Sequence, residues 1–211
     1  MSIFGVWLGP NEPPELERRC IATWQGGGLY TDEELIRLGV VDDQFYYHDA
    51  LAAKHWAGAS DVARLTLLHR VGGIYLDTDV EVVRPPALHQ MYQLALQTNT
   101  LFIGTETEGG DVCGAVIVSP PRHAFLTEML ELYKRTRFAD TFQGTVNGTT
   151  LLTGMSHAFG GAKNHAVTCL PPSVFYPWHW RERDISDEEK ARRKAPPQVL
   201  TAHHWSGSWV K

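Results

Sequence analysis

Two aspartates with one small residue between them, Asp77-Thr78-Asp79, follow directly on the apolar run Ile74-Tyr75-Leu76. Residues two apart on a strand face the same way, so the pair is expected to present two carboxylates on one side. Paired carboxylates with no neighbouring lysine form a hard-oxygen site suited to Mn²⁺ or Mg²⁺. Such an ion typically bridges the diphosphate of a nucleotide and stabilises it as a leaving group. A solvated acidic turn is the competing reading of a DxD string alone. The strand directly before it favours a ligand site, because open α/β sheets bind ligands beyond the carboxyl ends of their strands. Asp61 and Arg64 lie three apart, on one face at the start of the preceding helix. Arg64 suits a phosphate oxygen or a local carboxylate, and a helix-surface ion pair is the plain alternative.

These residues need elements to position them. The segment ASDVARLTLLHRVGGIYLDTDVEVVRPP (59–86) reads as helix, tight turn and strand. Ser60 is the expected N-cap, Val62, Leu65 and Leu68 share one helical face, and Gly72-Gly73 stops the helix. Val80 to Val83 continues as strand until Pro85-Pro86. Upstream, Ile3 to Leu8 reads as a buried first strand, followed by a helix from Pro13-Pro14 to Trp24. Gly26-Gly27-Gly28 ends that unit. Thr31 with Glu34 predicts a capping box for a short helix, and Gln44 to His48 reads as a second strand. Downstream, Leu101–Gly104 and Val112–Ser119 read as strands and Arg122–Arg135 as an amphipathic helix with Phe125, Met129 and Leu132 inward. A helix over 149–159, an extended Val174–Pro177 and a charged helix opened by Ser186 and Glu189 complete the reading. Alternation of strands and helices predicts an α/β fold with a mostly parallel central sheet flanked by helices.

The 211 residues suffice for one sizeable core, so one domain is expected. The formal net charge of −5 argues against a general nucleic-acid surface. Cys20, Cys113 and Cys169 are widely spaced and odd in number, which fits three buried free thiols in a reducing, cytoplasmic compartment better than a disulfide framework. No apolar stretch reaches the length of a transmembrane segment.

The 59–86 segment resembles the sugar-binding DXD region of glycosyltransferase family 32. That family includes capsular polysaccharide transferases, fungal mannosyltransferases and the glucosylating domains of large clostridial toxins. FGVWLGPNEPPELERRCIATW resembles its first strand and helix, and AHHWSGSW its closing motif. The resemblance implies a GT-A type nucleotide-sugar-binding fold over residues 1–211, with a donor-binding core over about 1–119 and an acceptor side and C-terminal lid over about 120–211. It implies a Mn²⁺- or Mg²⁺-dependent, retaining hexosyltransferase that takes a UDP- or GDP-sugar as donor and a glycan, lipid-linked or protein acceptor. Residue by residue, Trp7 would stack on the base and Ser60 would lie near base and ribose. Asp61 and Arg64 would hold sugar and diphosphate, with Tyr75 beside them. Asp77 would reach the ribose or the metal, Asp79 would ligate the metal, and His204 would sit near it. Ser208 and Trp209 would close over the diphosphate as part of a lid formed by residues 203–209.

Other readings compete. The aromatic group Phe175, Tyr176, Trp178 and Trp180 fits core or lid packing, with Trp178 and Trp180 kept as an acceptor platform. Asp111, in a loop with Glu106 and Glu108, is either an acceptor contact or plain surface. His203 and His204 lack further ligands at suitable spacing for structural zinc. A haloacid-dehalogenase-like phosphohydrolase also uses a strand-end DxD, but Glu81 stands where that chemistry wants Thr or Val. A non-catalytic nucleotide-sugar-binding protein is the remaining alternative.

Overall fold

The computed structural model describes residues 3–138, 152–156 and 166–207. A six-stranded sheet in the order β2-β1-β3-β6-β5-β7 forms the centre. Its strands are β1 (Ile3–Trp7), β2 (Gly28–Thr31), β3 (Gly73–Leu76), β5 (Leu101–Thr105), β6 (Val112–Ser119) and β7 (Val167–Leu170). β1 is parallel to β2 and β3, β5 is parallel to β7, and β6 runs against β3 and β5. All strands but β6 therefore point one way and share one carboxyl edge. β4 (Val80–Val82) leaves this sheet and pairs antiparallel with β8 (Thr201–His203).

Helices cover both faces. Strand alternation sends Phe4, Val6, Tyr75 and Ile117 to one side, where they meet α3 (Phe45–Ala52), α4 (Trp56–Val71) and α6 (Ala124–Arg135). Ile74, Leu76, Val116 and Val118 go to the other, against Trp24, α5 (Pro85–Thr98) and the pair Phe175-Tyr176. Each fully buried large apolar side chain contributes about 1.5–3 kcal/mol. α1 (Glu15–Ile21), α2 (Asp32–Arg37), α7 (Pro172–Phe175) and α8 (Asp187–Lys194) complete the helices used below.

The joint that places the aspartates is Gly72. It ends α4 at φ 63, and a Cβ there would come within 2.6 Å of the Pro121 backbone nitrogen. Only glycine combines that left-handed backbone with that approach, so β3 starts directly beneath the helix carrying Asp61 and Arg64.

Several local expectations are corrected. Gln44–His48 lies at the start of α3, because Tyr46, Tyr47 and Ala50 bury one helical face against the core. The second strand is Gly28–Thr31, a four-residue edge strand disguised by the glycine run 26–28 that opens it. α4 begins four residues before Ser60, capped by the His55 ring, whose Nδ1 accepts from Gly58 N–H at 3.0 Å. Pro85-Pro86 opens α5, since proline is preorganised for a helix's first turn. Val174–Phe175 is helical. Leu132 is only half-buried, with Leu126, Leu130 and Tyr133 facing inward instead. Cys169 is exposed, while Cys20 and Cys113 are buried as expected. Residues 152–156 are helical; the rest of the 149–159 expectation lies outside the described residues.

Candidate active site

Asp77 follows the last residue of β3 and still belongs to the sheet, its N–H donating to Ala115 O at 2.8 Å. The chain then turns, closed by Val80 N–H to Asp77 O at 2.9 Å. A turn, not strand alternation, thus brings Asp79 round to the side of Asp77.

Asp77 is held from its own strand and from the helix above. Tyr75 Oη–H donates to Asp77 Oδ1 at 2.7 Å, and Arg64 Nη1 lies 3.3 Å from the same oxygen. Arg64 is 7% exposed and also pairs through Nη2 with Asp61 Oδ1 at 2.9 Å. Its remaining donors reach Gly114 O (2.8 Å) and Ser60 O (3.3 Å). A Cβ on Gly114 would stand 2.9 Å from Arg64 Nη1, so glycine there leaves the guanidinium its room. Ser60 Oγ and Tyr75 Oη lie 3.3 Å apart. The expected ion pair is therefore buried and forms one network with the DXD turn. Burial pushes Asp61 above the usual carboxylate range although Arg64 opposes it, and burial holds the Tyr75 phenol well above its usual value. Tyr75 consequently remains a donor to Asp77.

Asp79 is held from the far end of the described chain. His203 Nε2 lies 3.1 Å from Oδ1, and Ser206 N–H donates to Oδ2 at 2.7 Å. Burial would raise the Asp79 carboxyl, but His203 and Ser206 outweigh it and hold it well below the usual range. Burial likewise opposes charge on His203, and Asp79 overrides it, favouring the imidazolium. One ligand atom each from Asp77, Asp79 and His203 lies within 4.8 Å of the others. Cis ligands of an octahedral ion with bonds of about 2.1 Å stand about 3 Å apart. The Asp79–His203 separation of 3.1 Å matches that spacing as well as the hydrogen bond between the two, and a divalent ion would take the place of the shared proton.

The expected ligand His204 points elsewhere. Its Nε2 lies 3.1 Å from Glu81 Oε2, and its ring meets Trp178 edge-on at 5.5 Å. Neighbours on a strand face opposite sides, and the β8 register, Val80 opposite His203, gives the aspartates His203. Lys194 of α8 also clamps Glu81 at 2.8 Å. The hydrogen bond from His204 leads the causes that bring Glu81 down to about 2, against its burial.

The remaining expected residues fall as follows. Trp7 ends β1 at the same sheet edge as Asp77, half-buried, with its ring N–H donating to Asn11 O. Asp111 is exposed at the neck of the β5–β6 loop, its O accepting from Glu106 N–H at 2.8 Å. Trp178 is buried at 2% exposure and its O accepts from Trp205 Nε1–H at 3.0 Å, so it packs inside. Trp180 is 45% exposed, with Arg181 over its ring. Ser208 and Trp209 lie outside the described residues. Glu17 was not picked out by sequence reasoning, and His203 and Ser206 entered it as members of the expected 203–209 lid, not as partners of Asp79. A groove of about 370 Å³ lined by His69, Arg70, Arg122 and Lys134 shares no residue with this site.

Residues 34–102, which span α4, β3 and the DXD turn, match the family described as "Glycosyltransferase sugar-binding region containing DXD motif". The chain belongs to the DXD glycosyltransferases. Lactosylceramide 4-alpha-galactosyltransferase of Mus musculus is 34% identical over 167 residues, covering 72% of this chain and 40% of that protein. The first curated relatives are longer, and this chain spans between 24% and 66% of their length. Among solved structures, the PaToxG glycosyltransferase superposes with a TM-score of 0.55 at 16% identity, over 74% of this chain and 68% of that one. A glycosyltransferase involved in the glycosylation of the major capsid of PBCV-1 covers 99% of this DXD glycosyltransferase and 95% of its own chain, with a TM-score of 0.50 at 12% identity. Those likenesses agree with the expected GT-A type fold and its mostly parallel sheet. The phosphohydrolase alternative finds no support in them. No helix among the described residues is long and apolar enough to cross a membrane.

Proposed function

We propose that this chain transfers a hexosyl group from a nucleotide-sugar to a hydroxyl of a glycan acceptor, using a divalent ion held by Asp77, Asp79 and His203. The observation that carries this reading is the convergence of those three side chains at the sheet's carboxyl edge, with both aspartates inside the matched DXD region. The residues act as one GT-A-like domain, with donor binding in about 1–119 and the acceptor side in about 120–211. When bound, Mn²⁺ or Mg²⁺ supplies positive charge against the donor diphosphate.

The chain's own residues do the rest. Asp61 and Tyr75 hold Arg64, and Arg64 offers positive charge to a phosphate oxygen or orients Asp77. Trp7 presents a ring for a uracil or guanine base, with Ser60 on the ribose side. In the transfer, the bond from the sugar's anomeric carbon to the diphosphate oxygen breaks and the electron pair leaves with the diphosphate. The acceptor oxygen forms the new bond and its proton departs with the released nucleoside diphosphate. Retention of configuration belongs to this reading: from an α-linked nucleotide-sugar it gives an α-linked product, and relatives are named for a 4-alpha transfer. Asp111 and exposed Trp180 line the acceptor side in this reading, with Trp178 behind them. The three cysteines, all free, support a reducing, cytoplasmic setting.

The test is incubation with Mn²⁺ and a panel of UDP- and GDP-sugars, with glycan, lipid-linked and peptide acceptors, read by mass spectrometry. Metal-dependent release of nucleoside diphosphate with a mass gain of one hexose on an acceptor is expected. Binding of a nucleotide-sugar with no turnover on any acceptor or on water would turn the reading into a sensor.

A further inference from the structure

The site as described leaves one buried acid without a role. Glu17, on α1, is 1% exposed, and the partner the structure gives it is a neutral hydroxyl: Ser206 Oγ–H donates to Glu17 Oε1 at 2.8 Å. Burying a carboxylate away from a counter-charge is costly, and a packed apolar side chain would avoid that cost. Ser206 faces two ways, because its N–H is the donor to Asp79 Oδ2 at 2.7 Å. Trp205 and Gly207 on either side are both left-handed, at φ 57 and φ 60. That backbone is uncommon for a bulky residue such as tryptophan and requires something to hold it.

We propose that Glu17 is a positioning residue for metal binding. By holding the Ser206 hydroxyl it keeps the Ser206 N–H on Asp79 Oδ2, and so fixes the carboxylate with Oδ1 beside His203. The inference rests on the metal-site reading of Asp77, Asp79 and His203. Ligating carboxylates are themselves hydrogen-bonded, and loss of such supporting partners typically costs about 10- to 100-fold in metal affinity.

The experiment titrates Mn²⁺ into the full chain without sugar donor and reads the free-ion signal by electron paramagnetic resonance. Glu17→Ala and Ser206→Ala should each weaken binding about 10- to 100-fold. Glu17→Gln, whose amide oxygen still accepts the hydroxyl, should stay within about threefold of wild type. The double variant E17A/S206A should be within about twofold of the weaker single variant, because both changes break the same link. Wild-type affinity in a folded Glu17→Ala protein overturns the proposal, as do single losses that multiply in the double variant. Loss in Glu17→Gln equal to that in Glu17→Ala also overturns it, since it would make Glu17 itself a cation ligand. If Glu17→Ala does not fold, wild-type affinity in Ser206→Ala is the overturning result. A wild-type chain that binds no Mn²⁺ defeats the metal-site reading itself, a failure distinct from normal wild-type binding left intact by Glu17→Ala.

Discussion

Asp77 is gripped by a single stretch of chain: Arg64 and Tyr75 reach it, and Ser60 and Asp61 hold them in turn. Asp79, two residues on, is gripped by His203 and by Ser206, the latter 127 residues away. The first half of the site is built into one helix–turn–strand unit and buried as a charge network. The second half is a contact between two distant parts of the chain, made across the β4–β8 pairing. Two carboxylates of the same motif therefore depend on different physics: internal charge balance in one case, docking of a late segment in the other.

The strongest way to break the comparison is Arg64→Ala. It leaves Asp61 and Asp77 without their buried cation, and removing one partner of such a pair costs about 3–5 kcal/mol. Urea unfolding should show that loss whether or not metal is present. Asp79→Asn keeps the shape of the side chain and should lower metal-dependent turnover by about 10²–10³ with a smaller loss of stability. Asparagine is the right probe because Asp79 is 7% exposed and doubly partnered. Alanine would instead remove both contacts, to His203 and to the Ser206 N–H, and so mix a fold effect with the metal effect. A retained Mn²⁺-dependent rate in Asp79→Asn would refute the metal role.

Two smaller effects sharpen the contrast. Trp7→Ala, on the locally built side, should weaken nucleotide binding by about 1–3 kcal/mol if the ring stacks on a base; calorimetric titration with UDP and GDP decides it. On the docked side, Glu81 is brought down to about 2 in the fold. A depressed carboxylate stabilises the fold above its unfolded value near 4.5 and stops doing so as the pH falls through about 2. Glu81→Gln should therefore cost about 1–2 kcal/mol at neutral pH. Its gap from wild type should narrow below pH 4.5 and close near pH 2. A gap independent of pH would show that Glu81 acts by packing alone.

How much of this was legible follows from the same contrast. The α4–β3 unit could be read because its signals are local: helical spacing of Val62, Leu65 and Leu68, glycines at the stop, an apolar strand, then the acids. The Thr31–Glu34 capping box and strands β5 and β6 were readable for the same reason. His203 and His204 are adjacent and chemically identical, and only the register of β8 against β4 decides which one meets Asp79; register is a pairing property that neither strand carries alone. Glu17 offered no signal, since on sequence it is one of two acids, with Glu15, in the first turn of a short helix. β2 and α3 were misread because tertiary packing overrode weak local propensity.

The pairing of β4 with β8 also has a meaning in time. Contacts between residues far apart in sequence form late, because the intervening chain must first be ordered. A chain emerging from the ribosome can complete α4, β3 and the grip on Asp77 while β8 has yet to be made. Val80 to Val82 must wait, with Asp79 beside them lacking its partners. The cluster of Asp77, Asp79 and His203 is then completed only once β8 has been made, and a chain finished no further than β4 carries the motif without the cluster.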